Sequence, residues 1–145
     1  MAGTPNSIIT PQTPFSIHAN LSGVTAITSR APITSATGLT QIGTNTANVS
    51  GRQINSIIVR GSGNTQVAAT VPMIITIWQY DGSTAWPVED ITVTAVTPAT
   101  VTAPFYTKVN YTNWIIPSTH SLYACQSITT TTTTAVIVQV LGGDL

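Results

Sequence analysis

Residues 53–94 read QINSIIVRGSGNTQVAATVPMIITIWQYDGSTAWPVEDITVT. Three apolar, β-branched segments are separated there by Gly, Asn and Asp, which is the pattern of consecutive antiparallel strands. In residues 53–60, Ile54, Ile57, Ile58 and Val59 are nearly continuous, as in a strand covered on both faces. Residues 73–80 carry Ile74, Ile75, Ile77 and Trp78. Asp81-Gly82 then signals a hairpin, because a type I′ turn needs residues that tolerate positive φ. A third strand is expected over residues 86–96, where Val88, Ile91, Val93 and Ala95 recur. Ile54, Ile57, Val59, Ile75, Ile77 and Ile91 are the expected core.

Working outward, residues 24–48 space their apolar positions with Thr and Ser, and short strands are expected near 26–35 and 39–43. Pro32 places the first of these at an edge or a bulge. Residues 1–25 hold prolines at 5, 11 and 14; lost donors and extended backbone make this an arm rather than a central strand. Ile8, Ile9, Phe15 and Ile17 give the arm apolar character suited to docking on a neighbour. On the other side, residues 97–114, TPATVTAPFYTKVNYTNW, form a long connection of the kind that returns the chain to the other sheet in Greek-key and jelly-roll sandwiches. In residues 136–141 Val136, Val138 and Val140 alternate with Ile137, Gln139 and Leu141, a last strand, and GGDL after it reads as a short flexible end. No helical period persists over a useful length. The expected architecture is all-β: an antiparallel, jelly-roll-like β-sandwich over residues 26–145 with an extended N-terminal arm over residues 1–25.

A chain of 145 residues suits one domain that holds its core without a metal or a crosslink. Only 6% of its residues are charged while 42% are hydrophobic, against roughly 25% charged in an ordinary soluble domain. Thr and Ser supply the polar surface instead, up to the unbroken run Thr129–Thr134, and Thr combines a hydroxyl with a preference for extended backbone. Zero formal net charge leaves little repulsion between copies. Four Lys and Arg residues make no basic patch, so nucleic-acid binding is not expected. Cys125, the single cysteine, is expected to be a small buried residue of a chain made in a reducing cytoplasm. The N-terminus has no signal-peptide pattern and no segment approaches the ~20 apolar residues of a membrane helix, so no membrane partner is expected.

Chemical motifs are sparse. His18 and His120 lie far apart and beside no other ligand residue, no G-x-S-x-G occurs, and Gly61-Ser62-Gly63 lacks the lysine and helix of a phosphate loop. Asp81-Gly82-Ser83 lacks the alternating acids of a calcium loop. Glu89 and Asp90 are adjacent and point to opposite faces of a strand; they are expected to pair with Arg30, Arg52, Arg60 or Lys108. Three N-x-S/T matches, at Asn20, Asn48 and Asn110, are coincidences of a Ser/Thr-rich chain without a signal. The residues thus imply no enzyme, no catalytic or metal site and no cofactor. Trp78, Tyr80, Trp86, Phe105, Tyr106, Tyr111 and Trp114 are core or interface residues, or alternatively a stacking platform for saccharides.

INSIIVRGSG, ITIWQYDG, VEDITVTA, WIIPSTHSLYACQS and AVIVQV, taken in order, resemble the strands of small β-sandwich virion proteins of tailed bacteriophages, over about residues 50–142. The resemblance implies a capsid decoration (cement) protein. Such a protein is made in the host cytoplasm, sits on the outside of the head and stabilises contacts between major capsid subunits, as homo-oligomers for which trimers are expected. The alternatives are a tail- or fibre-associated structural module and a carbohydrate-binding host-adhesion domain. Candidate partner contacts are Ile8, Ile9, Phe15 and Ile17 in the arm and Phe105, Tyr106, Tyr111 and Trp114 after it.

Overall fold

The computed structural model describes residues 13–21, 23–42, 51–61, 72–99, 102–130 and 136–145. They hold eight strands and no helix: β1 (Thr13–Asn20), β2 (Thr40–Gln41), β3 (Arg52–Gly61), β4 (Met73–Tyr80), β5 (Ala85–Val93), β6 (Tyr106–Ile116), β7 (Ser121–Gln126) and β8 (Val136–Asp144). These form two four-stranded antiparallel sheets, ordered β1-β8-β3-β6 and β2-β7-β4-β5. One apolar cluster draws on both sheets, with Ile54, Ile57, Val59, Val136, Val138 and Val140 from the first and Ile75, Ile77, Ile91, Val93 and Leu122 from the second. The fold is therefore sandwich-like, and all six expected core residues lie in that cluster.

β4 has an unusual requirement. Ile75 and Ile77 face the shared core, whereas Thr76 and Trp78, which point the other way, are also buried, at 1% and 0% exposure. The outer face of its sheet is sealed by the chain between β1 and β2: Ile27, Ile33 and Leu39 pack on Trp78, Ala85 and Cys125. This cover is tied down by Ile27 N–H to Gln126 C=O at 2.9 Å and by the reciprocal Ile33–Ala85 backbone bonds at 3.1 and 2.8 Å. The Gln126 amide donates to Val24 C=O at 2.8 Å and the Trp78 indole to Cys125 Sγ at 3.1 Å.

Several expectations are corrected. Residues 26–35 form no strand beyond the single bridge at Ile33; their apolar side chains serve as the cover. Of the arm expected over residues 1–25, residues 13–20 are β1, paired from end to end with β8, while residues 1–12 lie outside the described residues. Pro14 is compatible with this because β1 is an edge strand. The second half of the expected connection over 97–114 is strand, since β6 begins at Tyr106. Asp81-Gly82 does not form the two-residue type I′ turn: Tyr80 pairs with Ala85, leaving a four-residue loop in which only Gly82 has positive φ, at 102°.

The last correction concerns GGDL. Gly142, Gly143 and Asp144 continue β8 between β1 and β3. A Cβ on Gly142 would collide with the Gln53 carbonyl oxygen and the Phe15 ring, so glycine permits close strand approach here instead of marking a loose end. Asp144 is fixed by Arg52 at 2.9 Å, and the Arg52 guanidinium stacks over Phe15, 5.1 Å from the ring centre.

Gly142→Ala is expected to destabilise the fold by about 1–3 kcal/mol through this clash, read as a lower midpoint in urea unfolding. Burial pushes the Cys125 thiol above its ordinary pKa. It should resist a thiol reagent under native conditions and react once the protein is unfolded; rapid native labelling would mean that the cover does not seal β4.

Candidate functional site

Surface chemistry concentrates at the β4–β5 hairpin and along β5. In the hairpin loop, Asp81 Oδ1 accepts from the Ser83 and Thr84 backbone N–H groups at 2.9 and 2.7 Å and from the Ser83 hydroxyl at 2.9 Å. Its Oδ2 accepts the Trp86 indole N–H at 3.1 Å. The Thr84 and Ser83 amides, followed by Trp86 and the Ser83 hydroxyl, hold the carboxyl far below its usual range. Trp86, 49% exposed, is thereby fixed in one orientation on the surface. Tyr80 OH donates to Gly82 C=O at 2.8 Å and steadies the same loop.

A bulge follows. Trp78 pairs with Pro87 and Ile77 with Glu89, which leaves Val88 unpaired and 41% exposed. Opposite Ile77, Glu89 shares the inner side of the sheet and comes near Tyr111. The Tyr111 hydroxyl is buried without a well-formed hydrogen bond; burial first, and then the Glu89 carboxylate, push its pKa up. Opposite Thr76, Asp90 faces the cover, where it accepts from the Thr76 hydroxyl at 2.6 Å and from Arg30 Nε at 2.8 Å. Partial burial works to raise Asp90, but Thr76 and Arg30 outweigh it and keep the carboxyl below its ordinary range. Opposite faces for the two acids and a pairing of Asp90 with Arg30 agree with the sequence, whereas Glu89 is in no ion pair among the described residues. Arg30, Pro87, Val88, Glu89 and Asp90 line a shallow open depression of about 300 Å³.

Of the eight expected contact residues, the six that are described do not share one exposed surface. Ile8 and Ile9 lie outside the described residues. Phe15, Ile17, Phe105, Tyr111 and Trp114 are half-buried against the shared core, Tyr111 and Trp114 meeting edge to face at 4.8 Å. Tyr106 is the exposed one, at 60%. Of the seven aromatics considered as a saccharide platform, Trp86 and Tyr106 are largely exposed, and they lie on different sheets. Trp86 escaped the contact set because nothing in its own sequence context shows that an exposed tryptophan is held; the Asp81-x-Ser-Thr turn pattern was the available signal.

The histidines are also apart. His18 is exposed on β1, and His120 Nδ1 lies 2.6 Å from the Gln79 amide nitrogen. A gap lined by Ile17, Arg52 and His120 has only about 10 Å³, room for one water at most. Comparison of the chain with protein families, with curated proteins and with solved structures found no match.

Replacing Asp81 with Ala should release Trp86, seen as a shifted and faster-exchanging indole N–H resonance with the core resonances unchanged. Because the folded pKa of Asp81 is depressed, its contacts should be complete above the ordinary aspartate pKa of ~3.9 and fade only as pH falls well below it. A Trp86 signal that titrates at the ordinary value would contradict this geometry.

Proposed function

We propose that this chain is a structural protein of a bacteriophage virion. On this reading it is a jelly-roll domain that decorates the outside of the head and reinforces contacts between major capsid subunits. The observation that carries the reading is the strand pairing. β1 pairs with β8, β2 with β7, β3 with β6 and β4 with β5. An eight-stranded chain folded once as a long hairpin and then rolled into two sheets has this set of partners, and such rolls recur in capsid and lectin domains.

Two further features fit a lattice-bound structural role. A surface with so few charges gains by being covered with protein, and a lattice offers many copies of the same weak contact, so that avidity supplies what each contact lacks. In the same reading Ile8 and Ile9, ahead of β1, supply contacts to a neighbour, and the chain acts as a homo-oligomer, a trimer at capsid three-fold positions.

Particle imaging is expected to find the chain in many copies on the head shell. Particles lacking it should lose their genome at lower temperature or under milder osmotic shock than complete ones. A position confined to tail or fibres, or particles of unchanged stability, would overturn the decoration role.

A further inference from the structure

All eight acidic and basic side chains of the sequence fall within the described residues, so their placement can be followed completely. Asp81 is engaged by its own turn, Asp90 by Arg30 and Asp144 by Arg52, and Glu89 faces inward beside Tyr111. Arg60 and Lys108 remain, both exposed and neither in an ion pair.

The register brings these two together. Across the outer face of the β1-β8-β3-β6 sheet, one row of neighbours is His18, Gln139, Ile58 and Lys108. The next row is Asn20, Ile137, Arg60 and Tyr106. Arg60 therefore stands beside Tyr106, and Lys108 beside Ile58 in the adjacent row. Leu141 and Ile115 continue the apolar positions along the same face. No carboxylate of the chain lies on it, and no described segment covers it as residues 24–39 cover the other sheet.

We propose that this face is a docking surface for an acidic protein patch, in which Arg60 and Lys108 meet partner carboxylates around an apolar centre of Ile58, Ile137 and Tyr106. Arg and Tyr beside aliphatic residues are the types that dominate protein interfaces. Two cations with no acid among them select a partner of opposite sign and raise its association rate. A second copy offering the same face would set cation against cation. Two cations around an apolar centre are likewise a poor match for a phosphate backbone, whose affinity comes from many phosphate contacts.

The proposal rests on the virion reading for the partner, which becomes the head shell; the test separates the two. Complete particles are treated with a carbodiimide, which joins an amine to a carboxylate in contact, and the products are mapped by mass spectrometry. Lys108 joined to an Asp or Glu of the shell subunit is the expected result. Arg60→Glu with Lys108→Glu should lower attachment about tenfold or more at low salt, with an unchanged unfolding midpoint, while Lys108→Arg should attach as wild type does. Absence of the chain from particles would overturn the virion reading. Attachment that the double reversal leaves intact would overturn this inference alone. A dimer lost in the double variant, or tight binding of a DNA duplex by the wild-type face, would overturn it in favour of a second copy or a nucleic acid.

Discussion

Burial of β4 on both faces is the constraint from which the remaining architecture follows. Ile75 and Ile77 require an apolar sheet on one side, and Trp78 and Cys125 require cover on the other. The second demand is met by the chain itself, so residues 24–39 are spent as a third layer and the strand expected over residues 26–35 does not form. The buried Thr76 hydroxyl adds a polar condition, since a buried hydroxyl without a partner is costly. Asp90 supplies the acceptor and draws Arg30, within the cover, to the same place. Covering one sheet in this way distinguishes it from the other, whose outer face is covered by no described segment.

The few charges are unequal in weight. Arg30 and Asp90 are 34% and 47% exposed, so their attraction is screened and contributes no more than about 1 kcal/mol. Arg52 and Asp144, at 13% and 16%, are much drier, and removing Arg52 would leave the Asp144 carboxylate without its counter-charge, a cost on the order of 3 kcal/mol. That difference explains why the C-terminal residues are held as strand. The Arg52–Asp144 pair joins β3 to β8, and Phe15 stacked on Arg52 brings β1 into the same knot.

The sequence makes the β3–β5 region legible because its signals are local: alternation, β-branching and a turn. β4 falls at the expected residues and β3 and β5 lie within a few of theirs. Residues 26–35 carry the same sort of alternation, yet Ile27 and Ile33 pack over a sheet instead of joining one; spacing reports that side chains are buried, not which backbone hydrogen-bonds to them. Gly142 misleads for a related reason. A glycine that loosens a chain and a glycine that admits a neighbouring strand look alike until Gln53 and Phe15 are in place. In β6 the alternation of Thr107, Val109 and Tyr111 with Lys108 and Asn110 was visible, but Pro104 and the aromatics made the stretch resemble a connection. The grouping of Arg60 with Lys108 depends on register between strands some fifty residues apart, beyond the reach of any local pattern.

Register irregularities finally decide which side chains reach the surface. In β3 the pairing slips between Ile54 and Ser56, so Ile54 and Ile57, three apart, both enter the core, which a regular strand cannot arrange. β6 answers the slip with Asn113, the non-glycine residue at positive φ (61°), and there too Tyr111 and Trp114, three apart, both turn inward. An unbroken strand would leave one of these two aromatics on the outer face; here both face the core, and Tyr106, before the slip, stays outside. An odd spacing of core residues within a strand is therefore the sequence trace of a bulge. Here that bulge separates the aromatics packed against the core from Tyr106, which stays exposed on the outer face.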